Sequence, residues 1–176
     1  MALKTLAEQY RAQLGPYALT SAVEAGATRV RLRLRHRPNE RPPSPRLALI
    51  EMEDLFGHEP LSTEMKRDVQ QFYEESRGAG RYDFMSGARL ADAVRTAGLR
   101  VVHREALPDR ELCFQGAAND EVLTAWRNRL ARMNGLQNFL GAKYGVFKQA
   151  FLNALSAAEH RSTTKVTLVV AVKAHP

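Results

Sequence analysis

The chain has 176 residues, 44% of them hydrophobic and 26% charged, with a formal net charge of +7; this suits one soluble domain with its own core. The longest wholly apolar run, around Leu168–Val172, is far below the ~20 residues that span a bilayer, and the N-terminus has no continuous apolar stretch of the signal-peptide kind. A lone cysteine, Cys113, excludes an internal disulfide and suits a cytoplasmic protein, while five histidines without ligand spacing argue against a metal site.

The first segment sets Leu3, Leu6, Tyr10 and Leu14 on one helical face, and Gly15-Pro16 stops it. From Thr28 to His36 the period changes to two: Val30, Leu32 and Leu34 alternate with arginines, as in a strand with one apolar face. Between Arg29 and Arg46, seven arginines against Glu40 alone carry a formal +6 of the total charge, so the basicity is local. Four prolines make the end of this stretch a loop. Phosphate binding by these arginines is one reading. The stretch lacks the aromatics that stack on single-stranded nucleic acid, so an edge strand or loop is the reading preferred and a nucleic-acid partner is not expected.

"LALIEMED", Leu47 to Asp54, is an apolar run that ends abruptly in acids; without alternation it suits a strand covered on both faces, as in a parallel sheet. Met65, Val69, Phe72 and Ser76 then share a helical face, with Ser62 or Thr63 as N-cap. "RGAG" breaks that helix, a second runs from about Gly87 to Ala97 with Gly98 as its stop, and "LRVVHRE" is the next strand. Two further helices come after it. One carries Val122, Leu123, Trp126, Leu130 and Met133 on a face, the other Val146, Phe147, Ala150, Phe151, Ala154, Leu155 and Ala158. "KVTLVVAVK" is a β-branched strand. The succession predicts an α/β domain.

Open α/β sheets bind ligands beyond the carboxyl ends of their strands, which singles out Glu53, Asp54, His58 and Glu59 after the Leu47 strand. A histidine among carboxylates can act as a general base near neutral pH; the alternative is a solvated loop with a cap for the next helix. Tyr82 and Asp83 in "GRYDF" either line a pocket or anchor the loop to the core with Phe84. Cys113, between Leu112 and Phe114, reads as a small buried hydrophobe. No glycine-rich phosphate loop occurs.

"RLALIEMED", "GARLADAVRTAGLRVVHRE" and the terminal "TTKVTLVVAVKAHP" together resemble the C-terminal half of a class I S-adenosylmethionine-dependent methyltransferase, over Arg46 to Lys173. The resemblance implies a partial Rossmann-like sheet of three to four strands. Residues 47–176 would be the methyltransferase-like portion with a helical insertion at about 106–160, and residues 1–46 a helix followed by the Arg/Pro-rich segment. It further implies S-adenosylmethionine as cofactor, no metal, and a small-molecule methyl acceptor bound on the side of Glu53, Asp54, His58, Tyr82 and Asp83. The family's glycine-rich loop and ribose-binding acid belong to strands that would precede Leu47, so no cofactor-binding residue is carried over. The chain then reads as a truncated methyltransferase whose activity alone is in doubt, with residues 18–45 as an abnormal junction. The alternatives are a non-catalytic interaction module that dimerises through the helices around Trp126 and Phe151, or nucleic-acid binding through Arg29 to Arg46.

Overall fold

The structure is a computed structural model, and it describes residues 17–20, 29–34 and 46–173, with side chains from residue 47 on. The expected N-terminal helix and the proline-rich loop lie outside the described residues, as do the side chains of Arg29 to Arg46. A five-stranded sheet is built from β1 (Tyr17–Thr20), β2 (Arg29–Leu34), β3 (Arg46–Glu53), β5 (Leu99–Leu107) and β7 (Lys165–Lys173), in the order β1-β2-β3-β7-β5. A second, two-stranded sheet pairs β4 (His58–Glu59) with β6 (Arg161–Ser162). The helices are α1 (Thr63–Gly78), α2 (Ser86–Thr96), α3 (Asp120–Arg132), α4 (Asn134–Leu140) and α5 (Tyr144–Leu155), with a 3₁₀ turn at Gly141–Lys143. The fold is therefore mixed α/β.

Two features of the sheet differ from expectation. β2 runs antiparallel to β3, with Arg29 opposite Leu49 and Val30 opposite Ala48, so the described part of residues 1–46 shares a sheet with β3. Of the run Leu47–Ile50 only Ala48 is fully buried; the absence of alternation here does not mean two covered faces. β1, not foreseen from the sequence, pairs antiparallel with β2.

The chain divides into two compact units. One holds the described residues up to Glu51, Arg89–Ala106 and those from Thr167 on. Its core sets Leu90, Ala91 and Val94 of α2 against Val169 and Ala171 of β7, with Leu49, Leu99 and Val101 around them. These are the positions at i, i+1 and i+4 of an amphipathic helix meeting alternate residues of a strand. Gly98, at φ +76°, makes the turn from α2 into β5 in a conformation that a side chain would resist.

The other unit is Met52–Ala88 with Leu107–Val166. It takes in the expected insertion and joins it to the segment after β3. Two of its helices start where side chains supply the missing acceptors: Ser62 Oγ accepts from the Met65 N–H at 3.2 Å and Asn119 Oδ1 from Val122 at 2.9 Å. Trp126, Leu130, Leu136, Phe151 and Leu155 are wholly buried. Phe56 is the hub of this core, its ring 5.1 Å from Phe151, 5.7 Å from Phe147, 6.0 Å from Trp126 and 6.4 Å from Tyr73. Val146 does not belong to the buried face of α5; it is 76% exposed, and Leu152 is buried instead. Ala158 lies past the helix end and is exposed.

Candidate functional site

The chain leaves β3 through Asp54, a non-glycine residue at φ +60°. Such a left-handed conformation costs free energy and persists where surrounding contacts impose it. Here they are explicit. The Asp54 N–H donates to the Phe84 carbonyl at 2.9 Å, and its own carbonyl accepts from the Gly57 N–H at 2.9 Å and Thr164 Oγ1 at 2.8 Å. Its carboxylate accepts from Tyr73 Oη at 3.1 Å and from the Thr163 side chain. Tyr73 Oη also accepts from the buried Phe56 N–H at 2.7 Å. One hydroxyl thus satisfies a backbone donor and orients an acid.

Gly57 is required by close approach. A Cβ there would lie 2.6 Å from both Asp54 Oδ2 and Thr163 Oγ1, so only a hydrogen fits between these two groups. The Thr163 N–H donates to the Gly57 carbonyl at 2.6 Å, and the β4–β6 ladder places Glu59 opposite Arg161 and His58 opposite Ser162.

Around Asp54 is a cleft of about 220 Å³ lined by Phe56, Gly57, Leu61, Val69, Tyr73, Met85 and Thr163, with His58, Glu59, Lys66 and Gln70 as further polar residues. Glu59 Oε1 pairs with Lys66 Nζ at 2.6 Å, and its Oε2 accepts from the Leu61 N–H at 3.1 Å. Burial, together with the carboxylates of Glu53 and Glu59, pushes the Asp54 carboxyl above the usual range, against the hydrogen bonds from Tyr73 and Thr163. Burial and the Asp54 charge keep the Tyr73 phenol protonated.

His58 lines the same cleft, and its Nδ1 pairs with a second histidine, not with these carboxylates. Its side chain is 1% exposed and sits among the rings of Trp126 (5.1 Å), Phe151 (5.5 Å) and Phe114 (5.8 Å). Its Nδ1 is 2.9 Å from Nε2 of His160, which is equally buried and stacks on Phe114 at 4.2 Å. Proton placement follows from the one partner that can only accept: the Gly116 carbonyl, 3.2 Å from His160 Nδ1. Nδ1 of His160 carries the hydrogen, its neutral Nε2 accepts, and His58 Nδ1 donates. His58 Nε2 is then a bare lone pair, and among the described residues it has no hydrogen-bond partner. Burial, with His160 and Arg129 nearby, lowers the His58 pKa to about 3; burial lowers that of His160 against the opposing Gly116 bond. The stretch "LFGH" is core, with Leu55 and Phe56 4% and 2% exposed, and not a solvated loop.

The other expected residues are dispersed. Glu53 flanks Asp54 and lies 3.8 Å from Lys165. Tyr82 packs edge-on against Phe84 at 4.8 Å, and Asp83 Oδ1 accepts from the Met85 N–H at 3.0 Å; neither lines the cleft. Phe84 is buried against Tyr73, so the loop is anchored to the core. Cys113 is half-buried, its Sγ donates to the Thr164 carbonyl at 3.3 Å, and burial raises its pKa, which disfavours the thiolate. Sequence reasoning missed Tyr73 and Thr163. Tyr73 follows Phe72 on the helix and reads as core, and Thr163 is 109 positions from Asp54.

Among the described residues, no helix is long and apolar enough to cross a membrane, and no group of three or more His, Cys, Asp or Glu is placed to hold a metal ion. Comparison with protein-family models, with curated proteins and with solved structures gave no match.

Proposed function

We propose that the chain is a methyltransferase-like α/β protein that holds a small molecule in the cleft beside Asp54 and, by itself, binds without transferring a methyl group. The observation that carries this is the position of the cleft. It opens at Asp54, the residue that follows β3, and there an acid is held by two hydroxyls. The Rossmann-like reading draws support from two further features: the last strand, β7, is inserted between β3 and β5, and α2 passes through Gly98 into β5 as the resemblance to the methyltransferases implies.

The described residues do not fit S-adenosylmethionine. A cleft of about 220 Å³ is below the ~300–1,000 Å³ of ordinary ligand sites, too small for a nucleoside joined to an amino acid. It offers no glycine-rich loop, and Glu59 is already taken by Lys66 and the Leu61 N–H. No methyl-transfer step is assigned. Isothermal titration with S-adenosylmethionine tests the reading: the expected result is no heat at millimolar cofactor, and saturable binding would overturn the misfit to this cofactor. Trp126 and Phe151, both wholly buried, are unavailable as dimer contacts, so a homodimer would have to use the outward faces of their helices.

A further inference from the structure

The walls of the cleft leave one charge uncompensated. Of the three neighbouring carboxylates, Glu59 is taken by Lys66 at 2.6 Å and Glu53 faces Lys165 at 3.8 Å. Asp54 is half-buried and receives only hydroxyl donors, Tyr73 and Thr163; among the described residues no Lys or Arg pairs with it. The rest of the lining is mixed: Phe56, Leu61, Val69 and Met85 are apolar, while His58, Gln70 and the Glu59-paired Lys66 are polar. A desolvated carboxylate without a cation is costly, and the two flanking acids add to its negative field.

We infer that the cleft takes a small organic cation, a primary ammonium on a compact apolar body, with the ammonium on the Asp54 carboxylate. The inference rests on the reading of the cleft as a ligand site and adds the class of ligand. An ammonium brings both a charge and several N–H donors to an acid whose own neighbours supply none of the charge. A neutral alcohol would bring a donor and leave the charge, and a carboxylate would meet Asp54 and Glu59 in the lining, with Lys66 already paired to Glu59. Size sets a second limit: about 220 Å³ is the space of roughly seven waters at ~30 Å³ each, enough for one ring and a short chain.

The probe is phenethylammonium, titrated calorimetrically beside phenethyl alcohol and phenylacetate, which keep the body and change the charge. The ammonium is expected to bind, and the alcohol and the acid to bind about tenfold more weakly or not at all. Asp54→Asn should cost the ammonium about tenfold to a hundredfold in affinity, while Glu75→Gln, on the exposed side of α1, changes nothing. Because Asp54→Asn disturbs a turn, the unaltered protein supplies an independent measurement. Its affinity for the ammonium should fall as acid neutralises Asp54, with Glu53, Glu59 and Lys66 the other ionisable groups nearby. Equal binding of all three probes, abolished by filling the cleft with Met85→Trp, would overturn the cation assignment and leave a ligand site. Ammonium binding untouched by both Asp54→Asn and Met85→Trp would place it elsewhere and overturn both readings. Binding by none of the three overturns the inference.

Discussion

Acid should loosen the unit that contains the histidine pair, and the size of the effect follows from the geometry. His58 titrates near 6.5 in an unfolded chain and at about 3 when folded. Between those values the unfolded state binds one more proton than the folded one, so stability rises with pH. The contribution of His58 is complete above pH 6.5 and is lost as pH falls through the window below it. Each pH unit in that window is worth about 1.4 kcal/mol, so moving from about pH 7 to about pH 5 should cost ~2 kcal/mol from His58 alone. His160 shifts in the same direction and adds to this. Glu59, held below its usual 4.5 by Lys66 against the opposing effect of burial, loses its contribution only at lower pH. Asp54, raised above 3.8, works in the opposite sense near its own titration. Urea denaturation from pH 5 to 7.5, followed by the fluorescence of Trp126, gives the slope directly; Trp126 is the sole tryptophan and lies against His58. His58→Leu should flatten the slope by about one proton in this window, although it leaves His160 Nε2 without its donor. A wild-type stability flat between pH 5 and 7, or a slope unchanged in His58→Leu, would refute the placement of the protons.

The same contacts set three more outcomes. Tyr73→Phe removes the hydroxyl that serves both the Phe56 N–H and Asp54 and should destabilise by about 1–3 kcal/mol, measured by chemical denaturation. Gly57→Ala forces a methyl against Asp54 Oδ2 and Thr163 Oγ1 and should cost ~1–3 kcal/mol; a melting temperature equal to wild type would contradict the close approach. Phe151→Ala should cost about 3–5 kcal/mol, whereas Val146→Asp, on the exposed face of the same helix, should stay within ~0.5 kcal/mol.

What the sequence revealed and what it hid divide along physical lines. Local signals were readable: Ser62 as a cap, the Val69, Phe72 and Ser76 face, Gly98 as a stop, and the β-branched strand at Lys165–Lys173 all occur as expected. Each depends on residues within one or two turns of each other. Val146 was misplaced because an apolar residue beside Phe147 extends a helical pattern on paper while the helix turns it outward. The site was legible only as a region. Asp54 does lie at the cleft, but His58 is claimed by His160, which is 102 positions away. A two-residue ladder such as β4–β6 carries no periodicity to betray it. Tyr73, the residue that orients Asp54, gives no sign of a polar role because its hydroxyl finds partners only after folding.

The clasp between the Asp54–Glu59 turn and the Arg161–Thr164 segment has a kinetic corollary. Its hydrogen bonds, Thr163 to Gly57 and Thr164 to Asp54, close a loop of more than a hundred residues, and such distant pairings form only after the entropy of closure has been met. The helices between them can assemble from local contacts first, whereas the cleft wall and the histidine contact must arrive together, in a late step. Refolding should therefore show helix signal ahead of the Trp126 environment, with ligand competence appearing no earlier than the latter.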